Sequence, residues 1–178
     1  GGVVLAARGP EGGGGWRQGR QGLDEKIATV DEHIVLALSG RRADGRVLLD
    51  RARQECQEYR LRMGEAPTVF HVASFVADLQ HGYTRTGGAR PFGVECLVAG
   101  VDPDGEARLF STHPSGSLVE RTFGAIGRGQ AVALGSLEDS DLPVTVESAV
   151  HRAVGSLGQM SPRERAQVAV VKWVPEGV

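Results

Sequence analysis

The side chains that most often carry chemistry are spread thinly along this 178-residue chain. Two of the five histidines, His71 and His81, stand ten residues apart, whereas paired metal ligands on a helix stand one turn apart. The sequence contains no Cys-x-x-Cys, His-Glu-x-x-His or Gly-x-Ser-x-Gly motif, so no pattern typical of a zinc site or a serine hydrolase is present. We therefore expect structural or surface roles for the histidines, with no metal and no cofactor.

Two glycine-rich segments are the next candidates for chemistry. A phosphate-binding loop closes on a Lys-Ser/Thr pair that opens a helix, whereas in residues 9–22 the glycines are followed by Trp16 and Arg17. A mobile, solvated loop is favoured there. Residues 124–129, Gly-Ala-Ile-Gly-Arg-Gly, do not have the spacing of a dinucleotide-binding loop. We expect a turn at this second segment.

Composition and charge exclude several classes of partner. The formal net charge is −2, which does not favour nucleic acid or an anionic membrane. No apolar run approaches the length needed to span a bilayer, and no signal-peptide pattern precedes residue 30. Cys56 and Cys96 both lie in apolar segments, so two buried, reduced thiols in a cytosolic or nuclear protein are expected. The length suits a single domain.

The first half of the chain predicts strands followed by two helices. Short apolar runs predict strands at residues 3–7, 26–30 and 33–39, the last two forming a hairpin. Residues 43–61 have helical spacing that places Val47 and the residues Leu48, Ala52, Cys56 and Tyr59 on one buried face. We expect Gly64 to cap this helix and Thr68 to begin a second one that reaches residue 83.

The second half predicts further strands and a late helix. Residues 92–101 form a continuous apolar run typical of a central strand covered on both faces. Strands are predicted at 107–111, 118–126 and 167–173, with a weak helix after Gly129 and a better one over 145–157, capped by Gly158. Strands and helices are grouped, which makes parallel βαβ winding unlikely and indicates an α+β fold. Two antiparallel sheets covered by helix layers would fit this order, but the pattern alone gives only the class.

Four segments, in order, resemble α-type proteasome subunits. They are residues 26–34 (Lys-Ile-Ala-Thr-Val-Asp-Glu-His-Ile), 38–48 (Leu-Ser-Gly, then Ala-Asp-Gly-Arg-Val-Leu), 83–93 (Tyr-Thr-Arg-Thr-Gly-Gly-Ala-Arg-Pro-Phe-Gly) and 124–129. We refer to residues 83–93 as the signature segment. The cysteine-containing helix and the Ile-Gly-Arg-Gly stretch are most similar to the eukaryotic type-7 branch of that family.

The resemblance implies a fold, a function and partners. The fold would be the four-layer αββα sandwich of N-terminal-nucleophile hydrolases, formed by residues 1–178 as one domain that lacks the family's N-terminal gate segment and C-terminal helix. The chain would be a non-catalytic subunit of the core particle's α ring, supporting assembly, gating and activator docking in ubiquitin-dependent degradation. Its partners would be other α subunits, β subunits and the C-terminal tails of regulatory particles, in cytoplasm and nucleus.

The resemblance also implies a docking site. In the family a lysine of the Lys-Ile stretch binds the carboxylate of the activator tail beside a Ser-Gly backbone, and these positions match Lys26 and Gly40. An ammonium is a suitable partner for a terminal carboxylate. The alternative is that Lys26 is simply an exposed lysine at a strand edge. Arg41 follows Gly40 where the family commonly has an apolar residue.

The same resemblance implies that the chain is not an enzyme. Catalysis in this fold needs an N-terminal threonine, serine or cysteine, whereas Gly1 has no side chain to attack with. Arg8 stands where catalytic relatives have an aspartate, and Arg128 lies in a loop where they have a serine. The alternative function is a β-type threonine peptidase whose processed N-terminus lies outside this sequence. A truncated product without assembly partners is a third hypothesis.

Overall fold

The computed structural model describes residues 2–10, 26–138, 145–159 and 164–172. Within these ranges the strands form two antiparallel sheets, one of five strands in the order β2-β3-β4-β5-β6 and one that pairs β1 with β7. The elements in chain order are β1 (Gly2–Pro10), β2 (Ile27–Asp31), β3 (Ile34–Gly40), α1 (Arg42–Met63), α2 (Val69–Arg85), β4 (Val94–Val101), β5 (Ala107–Thr112), β6 (Leu118–Glu120), α3 (Gln130–Glu138), α4 (Val146–Gly155) and β7 (Glu164–Lys172).

The five-stranded sheet is buried on both faces, which explains why β3 and β4 are apolar at nearly every position. Alternate side chains of a strand point to opposite faces. Leu36 and Val98 therefore belong to a core cluster shared with α1 and α2, whereas Val35 and Ala99 belong to a second cluster shared with β1 and β7. The prediction of a central strand covered on both sides is confirmed for β4.

Four layers follow from these contacts. Helices α1 and α2 cover one face of the five-stranded sheet, the β1–β7 sheet packs on the other face, and α4 contacts β1 and β7. The predicted α+β fold, a four-layer αββα sandwich, is confirmed. None of the helices in the described ranges combines the length and the apolar character that crossing a lipid bilayer would require.

Local capping fixes where the helices of the first layer begin and end. Gly64 ends α1 in the left-handed region, with φ 76°, and its N–H donates to the carbonyl of Arg60 at 2.9 Å. The Thr68 hydroxyl accepts from the backbone N–H of His71 at 3.1 Å at the start of α2. Both predicted caps are confirmed.

Several sequence predictions were wrong in detail. Val47 is 45% exposed, because the buried stripe of α1 runs through Leu48, Ala52 and Cys56 at four-residue spacing and Val47 lies beside it. Strand β6 ends at Glu120 rather than at residue 126, since the chain then bends through residues 121–129. Helix α4 ends at Gly155 with Ser156 as its cap, so Gly158 lies in the following turn.

Two further differences concern element ends and the first glycine-rich segment. Strand β2 begins at Ile27, one residue after the predicted start. Gly9 is part of strand β1, so the predicted loop does not begin there. Residues 11–22 of that predicted loop lie outside the described residues. The weak helix predicted after Gly129 is confirmed as α3.

Candidate docking site

Gly40 lies at the junction between β3 and α1, in a backbone conformation that only glycine adopts without strain. Its φ is 131°, and a Cβ atom added there would lie 2.1 Å from the carbonyl oxygen of Gly93 and 3.0 Å from the Cα of Val94. The next residue, Arg41, donates its backbone N–H to the same Gly93 oxygen at 2.8 Å. The end of β3 therefore approaches the start of β4 more closely than any side chain would permit.

Lys26 is held by its backbone between the two sheets. Its carbonyl accepts from the N–H of Leu38 in β3 at 2.8 Å, and its own N–H donates to the side-chain oxygen of Gln167 in β7 at 2.9 Å. The side-chain nitrogen of Gln167 returns a bond of 2.6 Å to the carbonyl of Ile27. Lys26 itself is exposed, immediately before the edge strand β2. No local pattern in the sequence marks Gln167 for this role.

A cavity of about 1170 Å³ brings Lys26 and Gly40 to one site. It opens between β1, the end of β3, the first turns of α1 and residues 122–129. Its charged lining residues are mostly cationic: Arg8, Lys26, Arg41, Arg42, Arg46, Arg53, Arg128 and Arg152, with the carboxylates Asp50 and Glu95. A lining of this charge favours an anionic ligand.

An ion pair fastens the signature segment, whose Gly93 lines the cavity, to helix α1. The guanidinium of Arg90 donates two bonds of 2.6 Å to the carboxylate of Asp44 in the first turn of α1. The same carboxylate accepts from the backbone N–H of Gly93 at 2.9 Å. The hydrogen bonds from Arg90 outweigh the effect of burial and, with that from Gly93, lower the pKa of Asp44 to about 2.

An aromatic contact holds the same segment to the helix that precedes it. The rings of Tyr83, near the end of α2, and Phe92 pack with centroids 4.5 Å apart, and Phe92 is buried. Such pairs contribute about 0.5–1.5 kcal/mol beyond their buried area. The two ends of the signature segment are therefore fixed, one on α2 and the other on α1.

Residues 124–129 form a turn that lines the cavity. Gly127 has a φ of 95°, and a Cβ atom there would lie 2.4 Å from the hydroxyl of Ser39, the residue before Gly40. The Gly127 N–H donates to the carboxylate of Glu95 at 3.3 Å. The predicted turn is confirmed. No pattern in the sequence brings Gly127 to Ser39; the sequence signal is only that the residue is a glycine.

The histidines and the two cysteines considered in the sequence do not line this cavity. The side-chain Nε2 of His71 lies 2.9 Å from Glu55, and that of His33 lies 2.8 Å from the carbonyl of Pro67. Cys56 and Cys96 are the buried free thiols that were predicted, and burial raises the pKa of each to about 12. Over the described ranges, no three His, Cys, Asp or Glu residues are grouped so as to hold a metal ion.

Comparison with known proteins agrees with the arrangement of these motifs. Residues 1–172 match the family described as "Proteasome subunit". The chain belongs to the proteasome subunit family.

Relatives within that family carry the name of the α type. The chain is 44% identical over 152 residues to "Proteasome subunit alpha" of Methanococcus vannielii, and the aligned residues cover 83% of this chain and 58% of that protein. It is 38% identical over 149 residues to "Proteasome subunit alpha type-7" of Dictyostelium discoideum, and the aligned residues cover 83% of this chain and 60% of that protein. It is 50% identical over 114 residues to the α subunit of Methanocaldococcus jannaschii, covering 64% of this chain and 43% of that protein. The chain thus spans about three fifths of the length of the first two.

Proposed function

We propose that this chain is a non-catalytic α-ring subunit of the proteasome core particle, active in ubiquitin-dependent protein degradation in cytoplasm and nucleus. Residues 1–178 would act as one domain that scaffolds the ring, contributes to the substrate-entry gate and contacts neighbouring α and β subunits. The observation that carries the proposal is the signature segment, which is fastened to the first turn of α1 through Arg90 and Asp44 in a proteasome-family fold.

Docking of regulatory-particle tails is the second part of the proposal. Lys26 would bind the terminal carboxylate of a tail, and the Gly40 backbone would lie beside it. Both residues line one cavity whose charged side chains are mostly cationic. An exposed ammonium is suited to capture of a terminal carboxylate because it is a compact point charge, and the anchored backbone fixes the base of its side chain.

The absence of catalysis is supported by the residues at the positions of catalytic groups. Arg8 stands where the resemblance places a catalytic aspartate, and its guanidinium donates to the carbonyl of Gln159 at 3.2 Å. Arg128 stands in the loop where catalytic relatives have a serine. A guanidinium remains protonated at physiological pH and supplies no base to activate a nucleophile.

Assembly is tested by expressing the chain with α and β subunits of its own organism and separating the products by size under native conditions. We expect the chain to migrate with a ring-sized particle. Migration only as a monomer, while the other subunits form cylinders without it, would refute the scaffold role. Hydrolysis of a fluorogenic peptide by the chain alone would instead favour the β-type threonine peptidase.

Docking is tested with a fluorescent peptide that copies the C-terminal tail of a regulatory-particle subunit. We expect Lys26→Ala to weaken binding of the peptide with a free carboxylate and to leave the already weak binding of its amidated form unchanged. The chain has one other lysine, Lys172, which is exposed at the end of β7 and is a matched control. Equal binding by Lys26→Ala and Lys172→Ala would remove Lys26 from the site.

A further inference from the structure

The pair of Arg90 and Asp44 joins two parts of the fold that are distant in sequence. Arg90 is 56% exposed by its side chain, whereas Asp44 is only 8% exposed. The two N–H···O bonds are both 2.6 Å long and involve both carboxylate oxygens, the parallel geometry that only a guanidinium offers. A lysine at this position would provide the charge but not the second bond.

The carboxylate of Asp44 connects Arg90 to the backbone of the proposed docking site. One of its oxygens accepts from the N–H of Gly93, and the carbonyl of Gly93 in turn accepts from the N–H of Arg41. Gly93 is also the residue against which Gly40 packs without a side chain. The series therefore runs from Arg90 to Asp44, to the Gly93 peptide, and to the backbone at Gly40 and Arg41.

We propose that Arg90, acting through Asp44 and Gly93, is a positioning residue that fixes the β3–α1 backbone to receive the carboxylate end of a docking peptide. The inference rests on the proposed docking function and assigns to Arg90 no contact with the peptide itself. Its consequence is that Arg90 serves tail binding without lining the cavity, through Gly93 of the same segment, which does line it. Loss of the bidentate contact would leave Lys26 in place and displace the backbone beside it.

The chain supplies a matched control pair at the other end of α1. Arg60 donates to both oxygens of Asp31, at 3.1 Å through Nε and 2.9 Å through Nη2, and the side chains are 36% and 5% exposed. This pair also fastens α1 to the sheet, at the end of β2. It has the same chemistry and a similar burial, but no hydrogen bond from it leads to Gly93 or Arg41 in the part of the chain that the structure describes.

The experiment compares Arg90→Lys and Arg90→Gln with Arg60→Lys and Arg60→Gln in the full chain, assembled as it occurs. The probes are the fluorescent tail peptide and its amidated form, and hydrogen exchange of the Arg41 amide reports on the backbone. We expect Arg90→Lys to weaken binding on the order of tenfold, which corresponds to about 1.4 kcal/mol, because one of the two bonds that hold Asp44 is lost. Exchange at Arg41 should accelerate in the same variant.

The outcomes separate the inference from the proposed function. Binding that falls equally in the Arg60 and Arg90 variants would indicate general destabilisation and overturn the positioning role. Normal peptide binding by both Arg90 variants would overturn it as well, while leaving docking intact. If the unmodified assembled chain binds no tail peptide, docking fails and the positioning role fails with it. Weaker binding in Arg90→Lys alone, with unchanged unfolding temperature, supports the inference.

Discussion

Replacement of Gly40 by alanine is the sharpest test of the close approach between β3 and β4. The φ of 131° costs a residue with a side chain about 1–3 kcal/mol. The new Cβ atom would also lie 2.1 Å from the Gly93 oxygen, so the strands must separate and the Arg41 N–H would lose its 2.8 Å bond to that oxygen. A lost hydrogen bond adds about 0.5–1.5 kcal/mol.

The sum is a destabilisation of roughly 2–4 kcal/mol, a large part of the stability of an ordinary domain, about 5–15 kcal/mol. For a chain of this length, 1 kcal/mol corresponds to about 2–4 °C in the unfolding midpoint. We therefore expect thermal unfolding of Gly40→Ala, followed by circular dichroism, to shift downward by roughly 5–15 °C.

Gly135 provides a control at which alanine is not expected to lower the midpoint of thermal unfolding. It lies inside α3, and a Cβ atom there would meet nothing within 4 Å. Alanine is the better helix former by about 1 kcal/mol, so Gly135→Ala should leave the midpoint unchanged or raise it slightly. A midpoint for Gly40→Ala within 2 °C of the unmodified protein, about the effect of 1 kcal/mol, would refute the steric argument.

Substitutions at Asp44, Asp102 and Leu48 test three further contacts. The pKa of Asp44 in the folded protein, about 2, lies below the ordinary 3.8, so its contribution to the free energy of unfolding is present above pH 3.8 and is lost as the pH falls toward 2. Asp44→Asn should lower the free energy of unfolding by on the order of 1–2 kcal/mol at pH 6 in urea titrations. In this variant the free energy of unfolding should also fall less steeply between pH 3.8 and pH 2. Asp102 accepts from the buried N–H of Val69 at 2.7 Å, so Asp102→Ala should cost about 1–3 kcal/mol in urea titrations, and Asp102→Asn, which keeps an acceptor, clearly less. Leu48 is fully buried and Val47 is not, so Leu48→Ala should lower the free energy of unfolding by about 2–5 kcal/mol, and an equal loss in Val47→Ala would contradict the assigned face.

The parts of the fold that sequence predicts well are those with a strong local pattern. The continuous apolar run of β4 and the helical stripe of α2 each depend on residues within a few positions of one another. Gly64 and Thr68 were predicted as caps because capping depends on local backbone chemistry. Strand β6 was predicted too long because an apolar run does not show where its partner strand β5 stops pairing.

The candidate site was predicted only in outline. Lys26 and Gly40 came from resemblance, which does not give the contacts that hold them. The pair of Arg90 and Asp44 and the bonds of Gln167 to Lys26 join residues that are far apart in sequence. No periodicity encodes such a pair, because its partners meet only after the elements that carry them have packed.

The pairing of β1 with β7 has a consequence for how the chain folds. Strands β2 to β6 pair with their successors in the chain, whereas β1 and β7 come from segments separated by most of the sequence. A two-stranded ladder is marginal alone, and distant contacts are slow to form. The five-stranded sheet should thus fold first, leaving Leu97, Ala99 and Val101 uncovered until the ladder closes over them. That interval is when the chain is most exposed to aggregation, and native-state hydrogen exchange should show β1 opening at a lower free energy than β4.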